Sequence, residues 1–170
     1  MSRPAESAGL TTGGRQVAID NLSVSFGGPT GVVATEGVSF VVEPGELVTI
    51  IGPSGCGKST VLNALASLVP QGQANITGEI HIGGERISPY STGKSATGLG
   101  YVFQRDALLP WRTVAENVEM GLKIRGISSA RRKERVHELL HMVGLEGFDH
   151  YYPHQISGGM RQRTSLIRTL

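Results

Sequence analysis

Gly52-Pro53-Ser54-Gly55-Cys56-Gly57-Lys58-Ser59-Thr60 is the stretch on which the reading of this chain turns. Its spacing, Gly52-x-x-x-x-Gly57-Lys58-Ser59, is that of a phosphate-binding loop, in which a strand turns into a helix around a polyphosphate. Glycines at 52, 55 and 57 allow backbone conformations closed to bulkier residues, so successive N–H groups can point inward. The helix that follows adds its partial positive N-terminus beneath the same phosphates. In this chemistry Lys58 reaches the β and γ phosphates and the Ser59 hydroxyl ligates Mg²⁺. A glycine-rich turn that ends in Lys-Ser by chance is the bland alternative, and the context argues against it. Glu46-Leu47-Val48-Thr49-Ile50-Ile51 is apolar and β-branched, as a buried strand should be, while Val61, Leu62, Leu65, Ala66 and Leu68 fall at helical spacing. Strand, loop and helix stand in the order the mechanism requires.

Around this loop the chain reads as an ordinary globular protein. Its 170 residues fit one domain, and 39% hydrophobic with 18% charged residues suffices for a core. The 24 glycines are about twice the usual share and imply many turns. A net charge of +2 is too small to argue for a nucleic-acid partner. The one basic run, Arg131-Arg132-Lys133, is followed by Glu134 on a helical pattern and reads as a solvated face. Cys56 is the single cysteine, so no internal disulfide forms and a reducing cytosol fits; no neighbouring ligands support a metal or reactive role for it. Nothing approaches the roughly 18 consecutive apolar residues of a membrane span. Residues 1–15 are small and polar without an apolar stretch, which reads as a loose tail and not a signal peptide.

Along the chain, Val17–Phe26 and Val38–Val42 read as strands separated by a loop at 27–37, and Glu43-Pro44-Gly45 turns into the phosphate-loop strand. Gly78–Ile82 alternates, Gly83-Gly84 makes a two-residue hairpin turn into Glu85-Arg86-Ile87, and Gly98–Phe103 is a further strand ending at Gln104. Then the texture becomes helical. Thr113-Val114-Ala115-Glu116 is a capping box whose helix carries Val114, Val118 and Leu122 to a stop near Gly126. A second helix begins after Ser129, with Val136, Leu139, Leu140 and Val143 on one face and Gly144 at its end. The last motif is Ile156-Ser157-Gly158-Gly159-Met160-Arg161-Gln162-Arg163. Ser-Gly-Gly before a helix is weak evidence alone, because serine caps helices and glycine fills turns. Its functional reading is a second anion site at a helix start. Two such sites about 100 residues apart, with a helical insertion between them, are far more specific than either one.

These residues together resemble the nucleotide-binding domain of ABC transporters. Gly52–Thr60 matches the family's Walker A motif, Gln104 its Q-loop glutamine, and Ile156–Met160 its signature, usually Leu-Ser-Gly-Gly-Gln. Phe26 sits where the family places an aromatic residue that stacks on adenine; taken alone it would more often be a core residue. Val102–Trp111, Tyr152–Gln155 and Met160–Arg163 look most like the nitrate, sulfonate and taurine importers. The resemblance covers residues 16–170. It implies an α/β fold of the P-loop NTPase class, an ABC-type ATPase core with an antiparallel β portion and a helical subdomain. The implied division is a phosphate-loop core at 16–104, a helical subdomain at 105–155 and the signature with its helix at 156–170.

By the same resemblance, the function is that of the ATP-binding subunit of an importer, peripheral on the cytoplasmic side of the membrane and bound to membrane-spanning permease subunits. Two copies face each other head to tail, with ATP and Mg²⁺ between Lys58 of one and Ser157, Gly158 and Gly159 of the other. Gln104 senses Mg²⁺ and the attacking water. The apolar segment Ala107–Trp111 is expected to meet the permease, with burial against the domain's own helices as the alternative. The competing readings are a soluble ABC-type ATPase acting on nucleic acid or translation, and a non-hydrolysing truncated remnant. Absence of a basic stripe counts against the first. For the second, Leu170 falls before the family's Walker B strand, with its Asp, Glu and switch His. The chain therefore reads as incomplete at its C-terminus, with ATPase activity expected of the full-length protein and left open for these 170 residues.

Overall fold

In the computed structural model, residues 14–28, 31–91 and 99–170 are described; most of the expected tail, and Gly98 of the expected strand 98–103, lie outside them. The chain divides into two compact units, Met1–Leu99 and Gly100–Leu170.

Among its described residues, the first unit holds a four-stranded antiparallel sheet and one α-helix. Strands β1 (Val17–Phe26), β2 (Val32–Val42), β3 (Ala74–Ile82) and β4 (Glu85–Arg86) lie in the order β2-β1-β3-β4, and helix α1 spans Lys58–Leu65. Leu22 and Val24 share a face by period-2 alternation, and the register shift between Ile19 and Leu22 lets Ile19 join them; together they pack with Val61 and Ala64 of α1, Val69 and Ile80. The hairpin at Gly83-Gly84 forms as expected: both residues have positive φ, which a turn matched to the twist of its strands requires. Asn21, at φ 49, sits where the register of β1 shifts against both neighbours. Gly78 is pressed against that bulge, and a Cβ there would lie 2.4 Å from the Asn21 carbonyl oxygen. Arg15, assigned to the tail from sequence, is tied to the sheet through Ile82 O and the Glu85 carboxylate at 3.1 and 3.2 Å.

Three expectations are corrected here. The segment read as loop 27–37 is mostly strand, because β2 begins at Val32. Gly37 interrupts the ladder without ending the strand: at φ 61 it donates its N–H to Ser23 Oγ within a bulged register. Neither Glu46–Ile51 nor the described part of 98–103 is a strand. Composition signals a buried strand, but a strand exists only when a neighbour takes its hydrogen bonds, and Leu47 and Ile51 remain 92% and 88% exposed. Finally, α1 stops at Leu65, so Leu68 lies beyond it; the buried face is Val61 and Ala64, with Leu62 exposed.

The second unit is helical. Helices α2 (Val114–Ile124), α3 (Ser129–Met142) and α4 (Gly158–Ile167) bury Val114, Val118, Leu122, Val136, Leu139, Leu140 and Ile167 in one core with Leu145 and Ile156. Both reciprocal bonds of the Thr113/Glu116 capping box are present, from Glu116 N to Thr113 Oγ1 and from Thr113 N to the Glu116 carboxylate. Gly126 and Gly144 end α2 and α3 with positive φ.

Candidate functional site

The phosphate loop lies in the first unit, between the bare segment Leu47–Ile51 and α1. Gly52, Pro53, Ser54, Gly55 and Cys56 are exposed and make a turn in which the Cys56 N–H reaches Pro53 O at 3.4 Å. Gly57, at φ 90, caps α1 in the left-handed region. A Cβ on it would lie 2.2 Å from Ala34 O and 2.5 Å from Thr35 Cγ2, so the loop is seated on β2 at a point that only glycine fits. Gly55, at φ 82, is open to solvent. Helix α1 opens directly at Lys58, Ser59 and Thr60. Their N–H groups have no carbonyl a turn behind them, which leaves outward-facing donors at the helix's positive end. The Gly57 carbonyl already accepts from Val61 N at 3.0 Å.

Lys58 folds back over this loop. Its Nζ donates to Gly52 O at 2.8 Å and Pro53 O at 2.6 Å, and lies 3.5 Å from Cys56 Sγ. The ammonium is thus held at the mouth of the loop by neutral acceptors that anionic oxygens can replace. Ser59 is exposed, with its hydroxyl on the first turn of α1. Among the described residues no cluster of three or more His, Cys, Asp or Glu could hold a metal ion. The donor set fits a hard cation that brings most of its oxygens with a nucleotide and takes one from Ser59. Phe26 ends β1, opposite Val32 and Ala74, is 37% exposed and is in neither hydrophobic cluster of the described residues.

The second group of expected site residues lies in the other unit. Ser157 is the N-cap of α4 and accepts from Met160 N at 3.3 Å, while Ser157, Gly158 and Gly159 are all exposed. A Cβ on Gly159 would meet nothing within 4 Å, so the helix start is an open surface. The two departures from the usual signature fall on its inner side, where Ile156 is buried in the core and Met160 packs against it. Gln104 lies exposed at a bend. The structure therefore brings Gly52–Thr60 together as one group and Ser157–Gly159 as another.

Sequence reasoning missed three residues near Gln104. Asn117 is fully buried; its Oδ1 accepts from Leu109 N at 2.8 Å, and its Nδ2 donates to the carbonyls of Leu109, Arg112 and Thr113. Arg161 Nε donates to Asp106 Oδ2 at 2.7 Å, and Arg168 Nη1 to Ala107 O at 2.9 Å. Burial lowers the pKa of Arg168, and Asp106 partly offsets that. An asparagine on the apolar side of α2 was a possible signal for the first. Nothing local signals the other two.

A phosphate loop leading into a helix, beside an antiparallel sheet, with a separate helical unit, defines the class: a P-loop ABC-type core. The chain belongs to the ABC transporter family, whose model matches residues 35–170. It is 43% identical over 152 residues to the taurine import ATP-binding protein TauB of Escherichia coli K12, and equally so to that of Shigella sonnei. The match takes in 89% of this chain and 55% of each relative, so the chain spans about half the length of these curated relatives. Among solved structures, the dimeric bacterial ABC transporter cassette MJ0796 is 32% identical with a TM-score of 0.76, covering 91% of this chain and 68% of that one. A post-hydrolysis dimer of MJ0796 bound to ADP and Pi aligns with a TM-score of 0.74 at the same identity and coverage.

Proposed function

We infer that this chain carries nucleotide-binding machinery of an ATP-driven importer subunit for a taurine-like solute. The observation that carries the reading is the seated glycine loop with Lys58 poised over it, in one chain with the open helix start at Ser157. Bound ATP·Mg²⁺ supplies a γ-phosphoryl group that water can accept, and the transfer depends on positioning and charge stabilisation. Lys58 exchanges its two carbonyl partners for β and γ oxygens, and the N–H groups of Gly55 through Thr60 complete the cradle. When Mg²⁺ is bound with the nucleotide, the Ser59 hydroxyl would ligate it, Gln104 would sense it and the attacking water, and Phe26 would stack on adenine. Ser157, Gly158 and Gly159 serve the nucleotide held by a second copy. That arrangement makes ATP a ligand of the closed pair, so binding shifts the population toward closure.

The working division is a phosphate-loop core at 16–104, a helical part at 105–155 and the signature region at 156–170. The bare segments 47–51 and 101–103 are read as inner strands that pair once the rest of the nucleotide-binding fold is present. Among the described residues no helix is long and apolar enough to cross a membrane. The proposed place is peripheral, on the cytoplasmic face, against permease subunits.

The docking surface centres on Trp111, which is 71% exposed; Leu108 is buried and Leu109 partly so. In the full-length protein, Trp111→Glu is expected to detach the subunit from permease-containing membranes while ATP affinity stays within about twofold, since the ring contributes to no core. Flotation with a fluorescent-nucleotide titration reads both. A folded variant that stays on the membrane would remove the importer reading.

A further inference from the structure

Helix α4, capped by Ser157, grips the segment that follows Gln104. The guanidinium of Arg161 makes two bonds at once: Nε to the Asp106 carboxylate at 2.7 Å and Nη1 to the Ile156 carbonyl at 2.9 Å, immediately before Ser157. Asp106 is thereby tied, through one planar group, to the turn that opens the helix. Arg168, seven positions further and so on the same face, donates to Ala107 O at 2.9 Å. Ala107 itself sits at φ 45, a conformation a non-glycine residue holds only when its surroundings impose it. Two residues on, Asn117 holds both backbone groups of Leu109. The Asp106 carboxylate, the Ala107 carbonyl and both backbone groups of Leu109 are thus held by Arg161 of α4, Arg168 at its C-cap and Asn117 of α2. The exposed Trp111 extends from the end of this segment.

The Asp106–Arg161 pair is half-buried, with side-chain exposures of 31% and 35%. Its geometry is fixed further by Arg161's second bond, which sets it apart from the flexible exposed pairs that contribute little. An anion arriving at Ser157 and a protein arriving at Trp111 would therefore act on the two ends of one linked element. We propose that Arg161 is a positioning residue: through Asp106 it couples the signature helix to the Gln104–Trp111 segment, so that nucleotide engaged at Ser157 alters the surface at Trp111. Arg161 and Asp106 touch neither nucleotide nor permease in this scheme. The proposal rests on the nucleotide-binding reading above and deepens it.

The test uses the full-length protein labelled with 5-fluorotryptophan, with the Trp111 fluorine resonance assigned by its loss in Trp111→Phe. In the wild type, saturating ATP·Mg²⁺ is expected to shift this resonance. Asp106→Asn and Arg161→Met are each expected to abolish the ATP-induced shift while leaving ATP affinity within about twofold, because neither side chain contacts the phosphates. Asp106→Glu, which keeps the charge, should retain the shift, and the exchange Asp106→Arg with Arg161→Asp should restore it. A merely structural pair would alter the resting resonance or the melting temperature and leave the ATP-induced change in place. A shift that persists in both single variants overturns the proposal, as does a wild type that binds ATP tightly without any shift. Failure of the wild type to bind ATP, or unchanged binding in Lys58→Ala, identifies the nucleotide reading itself as the fault and takes the proposal with it.

Discussion

Lys58→Ala is expected to lower the affinity of the full-length protein for ATP·Mg²⁺ by about two to four orders of magnitude. The ammonium sits at the mouth of the phosphate loop, 2.8 and 2.6 Å from two loop carbonyls. On binding it would trade these neutral acceptors for charged phosphate oxygens. Each charge-assisted bond is worth about 1.5–3 kcal/mol, so losing two costs about 3–6 kcal/mol, and every 1.4 kcal/mol is tenfold in affinity. Removal of the side chain also frees the Gly52 and Pro53 carbonyls to solvent, a small cost in an exposed loop. The fold should survive, since the sheet and α1 rest on Ile19, Leu22, Val24, Val61 and Ala64. Isothermal titration with wild-type and variant protein checks the number. Wild-type affinity in a folded Lys58→Ala variant would show that the phosphates go elsewhere.

Asn117→Ala should cost the helical unit about 3 kcal/mol of stability, the largest effect expected of any single polar side chain there. The amide satisfies Leu109 N, and no other acceptor takes that donor. The carbonyls of Leu109 and Thr113 keep second donors, from Arg112 N and Asn117 N, so their loss is milder. An orphaned buried N–H costs about 1–3 kcal/mol, and the truncated side chain adds a cavity beside Val114 and Val118. Because these bonds pin the segment that carries Trp111, the damage should extend to membrane recruitment, whereas Lys58→Ala should spare it. Urea unfolding followed by circular dichroism measures the change; a loss below about 1 kcal/mol would mean that water replaces the amide.

What could be read beforehand divides by how far apart the interacting groups lie. The capping box of α2, its Val114/Val118/Leu122 stripe and the Gly144 stop of α3 involve residues within about two turns, and all appear where expected. The phosphate loop is equally local: Gly55 and Gly57 hold the positive φ that a bulkier residue resists, whereas Gly52 does not. Strands fare worse, because pairing is decided at a distance. Residues 46–51 have the composition of a strand without the partner, while Val32, Val33 and Thr35 carry a β-branched signal hidden among the flanking glycines at 27, 28, 31 and 37. Behind the Ser157 helix start, the Arg161–Asp106 bond spans 55 positions, so no pattern in the sequence announces it. Ser157 was legible as a cap because capping needs only Met160, three residues on.

The bare row Leu47-Val48-Thr49-Ile50-Ile51 has a consequence for the life of the chain during its synthesis. It is β-prone, uncharged and free of proline, and its backbone N–H and C=O groups are uncommitted to any ladder. Such a row accepts the first extended segment that reaches it, whether from its own polypeptide or a neighbour's. The two flanking features are the natural brakes. Glu46 places a charge at one end, and the Gly52-Pro53 turn denies a strand continuation at the other. Nascent copies crowded on one messenger are therefore most vulnerable to sticking together between the emergence of Ile51 and the covering of this row, the interval in which a chaperone would find its target.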